Sequence, residues 1–122
     1  MVEITLPQGE TLYYRILLQL REGLILTADD YVVIKVRRAS DDLLYQTALP
    51  VEGNNEGYFV DWHIPHSKTE KLQKGRHRYG IAVYQNAVLD ETGMPYDGEI
   101  VEHAIVSEPF NVVPPVAREG IL

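Results

Sequence analysis

Cysteine is missing from the 122 residues of this chain, so disulfides, thiolate nucleophiles and thiolate zinc sites are excluded. Stability has to come from packing. Basic charge is scarce: 11 Lys and Arg against 18 Asp and Glu leave a formal charge of -7. A field of that sign repels phosphate before contact, so neither nucleic acid nor an anionic membrane is an expected partner. Apolar runs are short, far below the roughly 20 residues that span a bilayer as a helix. The N-terminal stretch carries Glu3 and Glu10 and no basic start followed by an apolar segment, so no secretory signal is read there. The chain is expected to act where it is made, or to leave the cell by a route without a signal peptide, such as lysis.

What is present is a globular composition, 45% hydrophobic and 24% charged, in a length that suits one domain. Helical periodicity is nearly absent, and alternation of apolar and polar residues dominates. In Thr11 to Leu20, Leu12, Tyr14, Ile16, Leu18 and Leu20 share one face, and only Leu17 breaks the pattern. Tyr31 to Arg38 sets Val32, Ile34 and Val36 against Lys35 and Arg37, on β-branched residues that suit a pleated surface. An apolar plug, Leu24 to Thr27, reads as an inter-sheet loop between these two strands. Further strands are read at Leu43 to Leu49, Tyr58 to Ile64, Arg76 to Tyr84, Glu99 to Val106 and Pro109 to Val113. Turn residues separate them: Gly53 to Gly57 and Asp90 to Pro95 are the clearest. Ser67 to Lys74 reads as a loop or one helical turn.

The expected fold is all-β, an antiparallel β-sandwich of immunoglobulin-like kind with seven or eight strands. The domain is expected to span 1–113. Residues 114–122, opened by Pro114-Pro115, are expected to be an arm, an interface or a join to another protein.

Two stretches carry a resemblance. "IPHSKTEKLQKGRHRYGIAVYQ" and "LPQGETLYYRILLQLREGLILTADDYVVIKVR" resemble small phage tail and baseplate sandwich modules, among them the N-terminal domain of upper-baseplate proteins and related prophage proteins. Gly9, Glu10, Gly23, Leu26, Thr27, Tyr31, Val32, Leu72, Gly75, Tyr79 and Ile81 match that layout. The resemblance implies a virion structural or adaptor protein without enzymatic activity, with itself and other virion proteins as partners. The segment "LQKGRHRYGIAV" is equally similar to immunoglobulin and fibronectin type III strands. That likeness leaves open a carbohydrate- or peptide-binding module of a bacterial surface system.

Chemistry-bearing groups are weighed against plainer roles. His63 and His66, with Asp61, have zinc-like ligand types, but residues three apart on a strand point to opposite faces. His77 and His103 face each other only if their strands pair in the right register, and Arg76 and Arg78 make a poor setting for a cation. Both read as exposed polar residues. Asp90, Glu91, Asp97, Glu99 and Glu102 offer calcium-type oxygen ligands without an EF-hand spacing, and read as a solvated hairpin tip. Nucleophile-elbow and Walker motifs are missing, so neither catalysis nor a cofactor is expected.

Eight tyrosines exceed what a core of this size needs. By alternation Tyr13, Leu17, Phe59 and Tyr84 fall opposite the core stripe and form an expected apolar patch on an outer sheet surface. With Pro114, Pro115 and Val116 they are the candidate interface residues.

Overall fold

A computed structural model of the chain describes residues 3–54 and 56–115. These contain β1 (Ile4–Pro7), β2 (Leu12–Leu17), β3 (Tyr31–Arg38), β4 (Leu43–Pro50), β5 (Glu52–Asn54), β6 (Gly57–Ile64), a helical turn α1 (His66–Thr69), β7 (Gly75–Leu89) and β8 (Pro95–Val113). They form a five-stranded sheet ordered β1-β8-β7-β3-β4 and a three-stranded sheet ordered β2-β6-β5. The chain is all-β, but the five-stranded sheet is mixed rather than antiparallel. β1 lies parallel to β8, Ile4 beside Phe110 and Pro7 beside Val113. A parallel neighbour needs a long crossover. Here almost the whole chain intervenes, a pairing that alternation cannot reveal.

Alternation does decide which side chains go inside. Val32, Ile34 and Val36 of β3, Val60, Trp62 and Ile64 of β6, and Tyr79, Ile81 and Val83 of β7 all enter one buried cluster. At its centre Trp62, from the three-stranded sheet, meets Tyr79 and Phe110 from the five-stranded sheet. Its ring centroid lies 5.6 Å from each, and Tyr79 meets Phe110 edge-on at 6.2 Å. All three are almost wholly buried. Burial pushes the Tyr79 phenol up to about 12, so it stays neutral throughout the ordinary pH range.

The loop before β3 is pinned by hydrogen bonds. The Tyr58 hydroxyl accepts from the Leu26 amide at 2.8 Å and donates to the Leu26 carbonyl at 3.2 Å. The buried Asp30 carboxylate accepts from the Thr27 amide at 2.8 Å. These contacts hold Leu26 in the core, where the apolar plug was expected. At the β5–β6 turn Asn54 pairs with Gly57, and a Cβ on Gly53 would meet the Gly57 carbonyl oxygen at 2.1 Å. Glycine is obligatory there.

β7 and β8 make an unusually long hairpin of 15 and 19 residues. The sequence suggested two separate strands here, divided before Pro109. The structure runs through it as one. β1 pairs only with Phe110 to Val113, so the earlier part of β8 is a sheet edge, where proline is tolerated.

Replacing Phe110 by Ala removes the ring joining β8 to Trp62 and is expected to cost ~3–5 kcal/mol of unfolding free energy. Urea unfolding followed by the fluorescence of the single tryptophan measures it. A loss below about 1 kcal/mol would contradict a central role for this contact.

Candidate interaction surfaces

The outer face of the three-stranded sheet is built by cross-strand pairs: Tyr13 opposite His63, Arg15 opposite Asp61, and Leu17 opposite Phe59. Tyr13 stacks on His63 with centroids 4.4 Å apart and planes 7° apart. Arg15 forms a two-pronged pair with Asp61, its Nε and Nη2 donating to the two carboxylate oxygens at 2.8 and 3.0 Å. The same guanidinium lies 4.1 Å from the centre of the Phe59 ring. These contacts order the face without covering it, since Tyr13 is 77% exposed and Leu17 71%.

Hydrogen bonds from Arg15 hold the Asp61 carboxyl below the usual aspartate range; desolvation opposes them in part, and the positive charge of Arg15 adds a lesser lowering. A depressed folded-state value means that the pair stabilises the fold above the ordinary aspartate pKa. That contribution is lost as pH falls through the folded-state value.

Tyr84 is not part of this surface. It sits on β7 opposite Ile100 of β8, on the outer face of the five-stranded sheet. The expected single patch is therefore divided between the two sheets. Alternation assigns a residue to the outside but does not say which sheet it lies on. Pro114 is exposed and Pro115 half-buried, while Val116 and the rest of the expected arm lie outside the described residues.

Around Tyr84 the sheet curls into a cleft of about 430 Å³. Its floor includes Val33 and Ala82, paired across β3 and β7, and Val33 is only 3% exposed although its neighbours Val32 and Ile34 point into the core. At one end stand Lys35, Arg37, Arg38 and Arg78, with Asp41 as the acidic neighbour. Arg37 donates to the Asp41 carbonyl and Arg78 Nε donates to Ser107 Oγ. The wall is shaped by a bulge in β8. Tyr79 pairs with Glu108 and Ile81 with Ile105, so Val106 and Ser107 stand against Gly80 alone. A Cβ on Gly80 would lie 2.9 Å from the Val106 carbonyl oxygen, so only glycine permits this approach. Val106 itself is thrown outward, 83% exposed.

This cationic cleft was not anticipated. Its signals were visible separately, as Lys35 and Arg37 on the outer side of β3 and Arg76 and Arg78 beside His77. What joins them is the β3–β7 register, which pairs residues far apart in sequence.

The histidines weighed as metal ligands lie apart. His63 is occupied by its stack on Tyr13, and His66 begins α1. His77 lies opposite Phe110, and His103 lies opposite Ala82. His77 is also buried rather than exposed, with its Nε2 2.6 Å from the Gln73 carbonyl oxygen. Among the described residues no three His, Asp or Glu come together as a metal-binding group. In the acidic hairpin, Asp90 Oδ1 accepts from the Thr92 amide and hydroxyl and from the Met94 amide. These bonds, the Thr92 side chain first, hold its carboxyl below the usual range. Glu102 accepts from the Arg21 amide. Both carboxylates thus serve the fold.

No helix among the described residues is long and apolar enough to cross a membrane. No protein-family model matches the chain, and no curated protein matches it.

Replacing Arg15 by Gln is expected to raise the Asp61 titration midpoint towards that of an ordinary aspartate. NMR of the side-chain carboxyls reads it, and an unchanged midpoint would show that the Arg15 contact does not form in solution.

Proposed function

We propose that this chain is a non-enzymatic assembly or adaptor module of the immunoglobulin-like sandwich class, of the tail or baseplate type found in phages and prophages. The observation that carries the reading is apolar side chains on both outer sheet faces: Tyr13 and Leu17 on one, Ile100 and Val106 on the other. Exposed apolar surface of this kind marks association. The strand order supports the class. β2, β6 and β5 stand where the B, E and D strands of a variable-type immunoglobulin sheet would, and β8, β7, β3 and β4 stand as G, F, C and C′. β1 joins the G edge.

Residues shared with the baseplate modules bear on fold more than on activity. Gly9 and Gly23 take positive φ in turns, and Leu26, Leu72, Tyr79 and Ile81 are buried. The partners in this reading are further copies of the chain and other virion proteins, within a virion or in the cytoplasm before assembly. A net charge of -7 disfavours nucleic acid. A second reading, a carbohydrate-binding module, is favoured by Tyr13, whose exposed ring is held flat by His63 in the manner of a sugar-stacking platform.

Light scattering coupled to size-exclusion chromatography tests the proposal. The full chain is expected to run as a defined oligomer, and a version ending at Val113 as a smaller one. A full chain that stays monomeric at all concentrations, together with saccharide binding abolished by Tyr13→Ala, would replace the assembly reading with the second.

A further inference from the structure

The cationic cleft is one end of a charge-separated surface. Four of the chain's 11 Lys and Arg, namely Lys35, Arg37, Arg38 and Arg78, line it. No Lys or Arg then occurs until Arg118, while Asp90, Glu91, Asp97 and Glu99 mark the far end of the β7–β8 hairpin. That end projects beyond β3, whose pairing with β7 stops at Tyr31 opposite Tyr84. Its exposed apolar residues are Val88 and Tyr96. Between the two ends lies an apolar stretch containing Val33, Ala82, Tyr84 and Ile100.

Tyr84 stands between the two ends, six residues from Arg78 and six from Asp90 just past the end of β7 (84 − 78 and 90 − 84), with a bulge between Gln85 and Val88 on the tip side. A two-fold rotation about an axis lying just above Tyr84, parallel to the sheet and perpendicular to β7, therefore brings each basic end over the other copy's acidic tip. The two apolar middles then face one another. We infer that the outer face of the five-stranded sheet docks a second copy of this chain in antiparallel, isologous fashion, the hairpin tip of each copy seated at the Lys35/Arg78 end of the other. This rests on the assembly reading above and specifies its interface.

Several properties follow. A two-fold interface repeats every contact, so a single substitution acts twice. The charged contacts are exposed, so association weakens as salt shortens the Debye length from ~10 Å at 0.1 M. Parallel stacking of the faces would set like charges together, and the antiparallel arrangement is selected against it.

The absence of cysteine makes the test direct, because introduced thiols are the only ones present. Under mild oxidation Tyr84→Cys is expected to give a disulfide-linked dimer. An equal mixture of Arg78→Cys and Glu91→Cys is expected to give the mixed dimer, with little from Arg78→Cys alone. Glu91 is used for the tip because Asp90 holds the turn. In parallel, Arg78→Glu and Glu91→Lys should each weaken dimerisation about tenfold. The double variant R78E/E91K should restore it, which a merely destabilised fold would not. If the protein is oligomeric but Tyr84→Cys fails to cross-link and the charge swap rescues nothing, the inference is overturned while the assembly reading stands. If the unmodified protein is monomeric throughout, both fall.

Discussion

Everything in this molecule depends on a single cross-sheet contact, the packing of Trp62 against Tyr79 and Phe110. Without cysteine or a metal group among the described residues, burial is what joins the two sheets. Large aromatic rings bury more apolar surface per residue than any aliphatic side chain. Trp62 projects inward from the middle of β6, flanked by Val60 and Ile64, while Tyr79 and Phe110 come from the paired ends of β7 and β8. The contact therefore fixes the separation of the sheets, the depth of β8, and with it the parallel addition of β1 at Phe110.

With the inward face occupied in this way, the outward residues become free to serve other ends. On the three-stranded sheet, Arg15 couples a carboxylate and an aromatic ring while leaving Tyr13 and Leu17 open. On the five-stranded sheet, the bulge over Gly80 and the long hairpin create a cleft with a cationic end and an acidic projection. Neither arrangement is required by the core. Both leave apolar and charged groups open to solvent, as the proposed assembly role requires.

The local parts of the fold were legible in the sequence. β3 was bounded correctly by alternation, and the inward sets of β2, β6 and β7 followed from period-2 pattern because each strand has one dry face. Short or exposed elements were not. β1 and β5 have four and three residues, too few for a pattern. The second half of the hairpin was divided at Pro109 because an edge strand and a strand end carry the same residue signal. Tyr13, Leu17 and Phe59 were correctly placed outside, but Tyr84 was grouped with them because face assignment is blind to sheet membership. The cationic cleft was hidden for the same reason: charge clustering across β3 and β7 is a property of register between distant segments.

The central claim is that the outer faces exist to be covered by protein. Sedimentation equilibrium over a concentration series, at low and at high sodium chloride, tests it most directly. The account predicts reversible association to a defined even-numbered species whose dissociation constant rises with salt. A monomer at every concentration and both ionic strengths would contradict it.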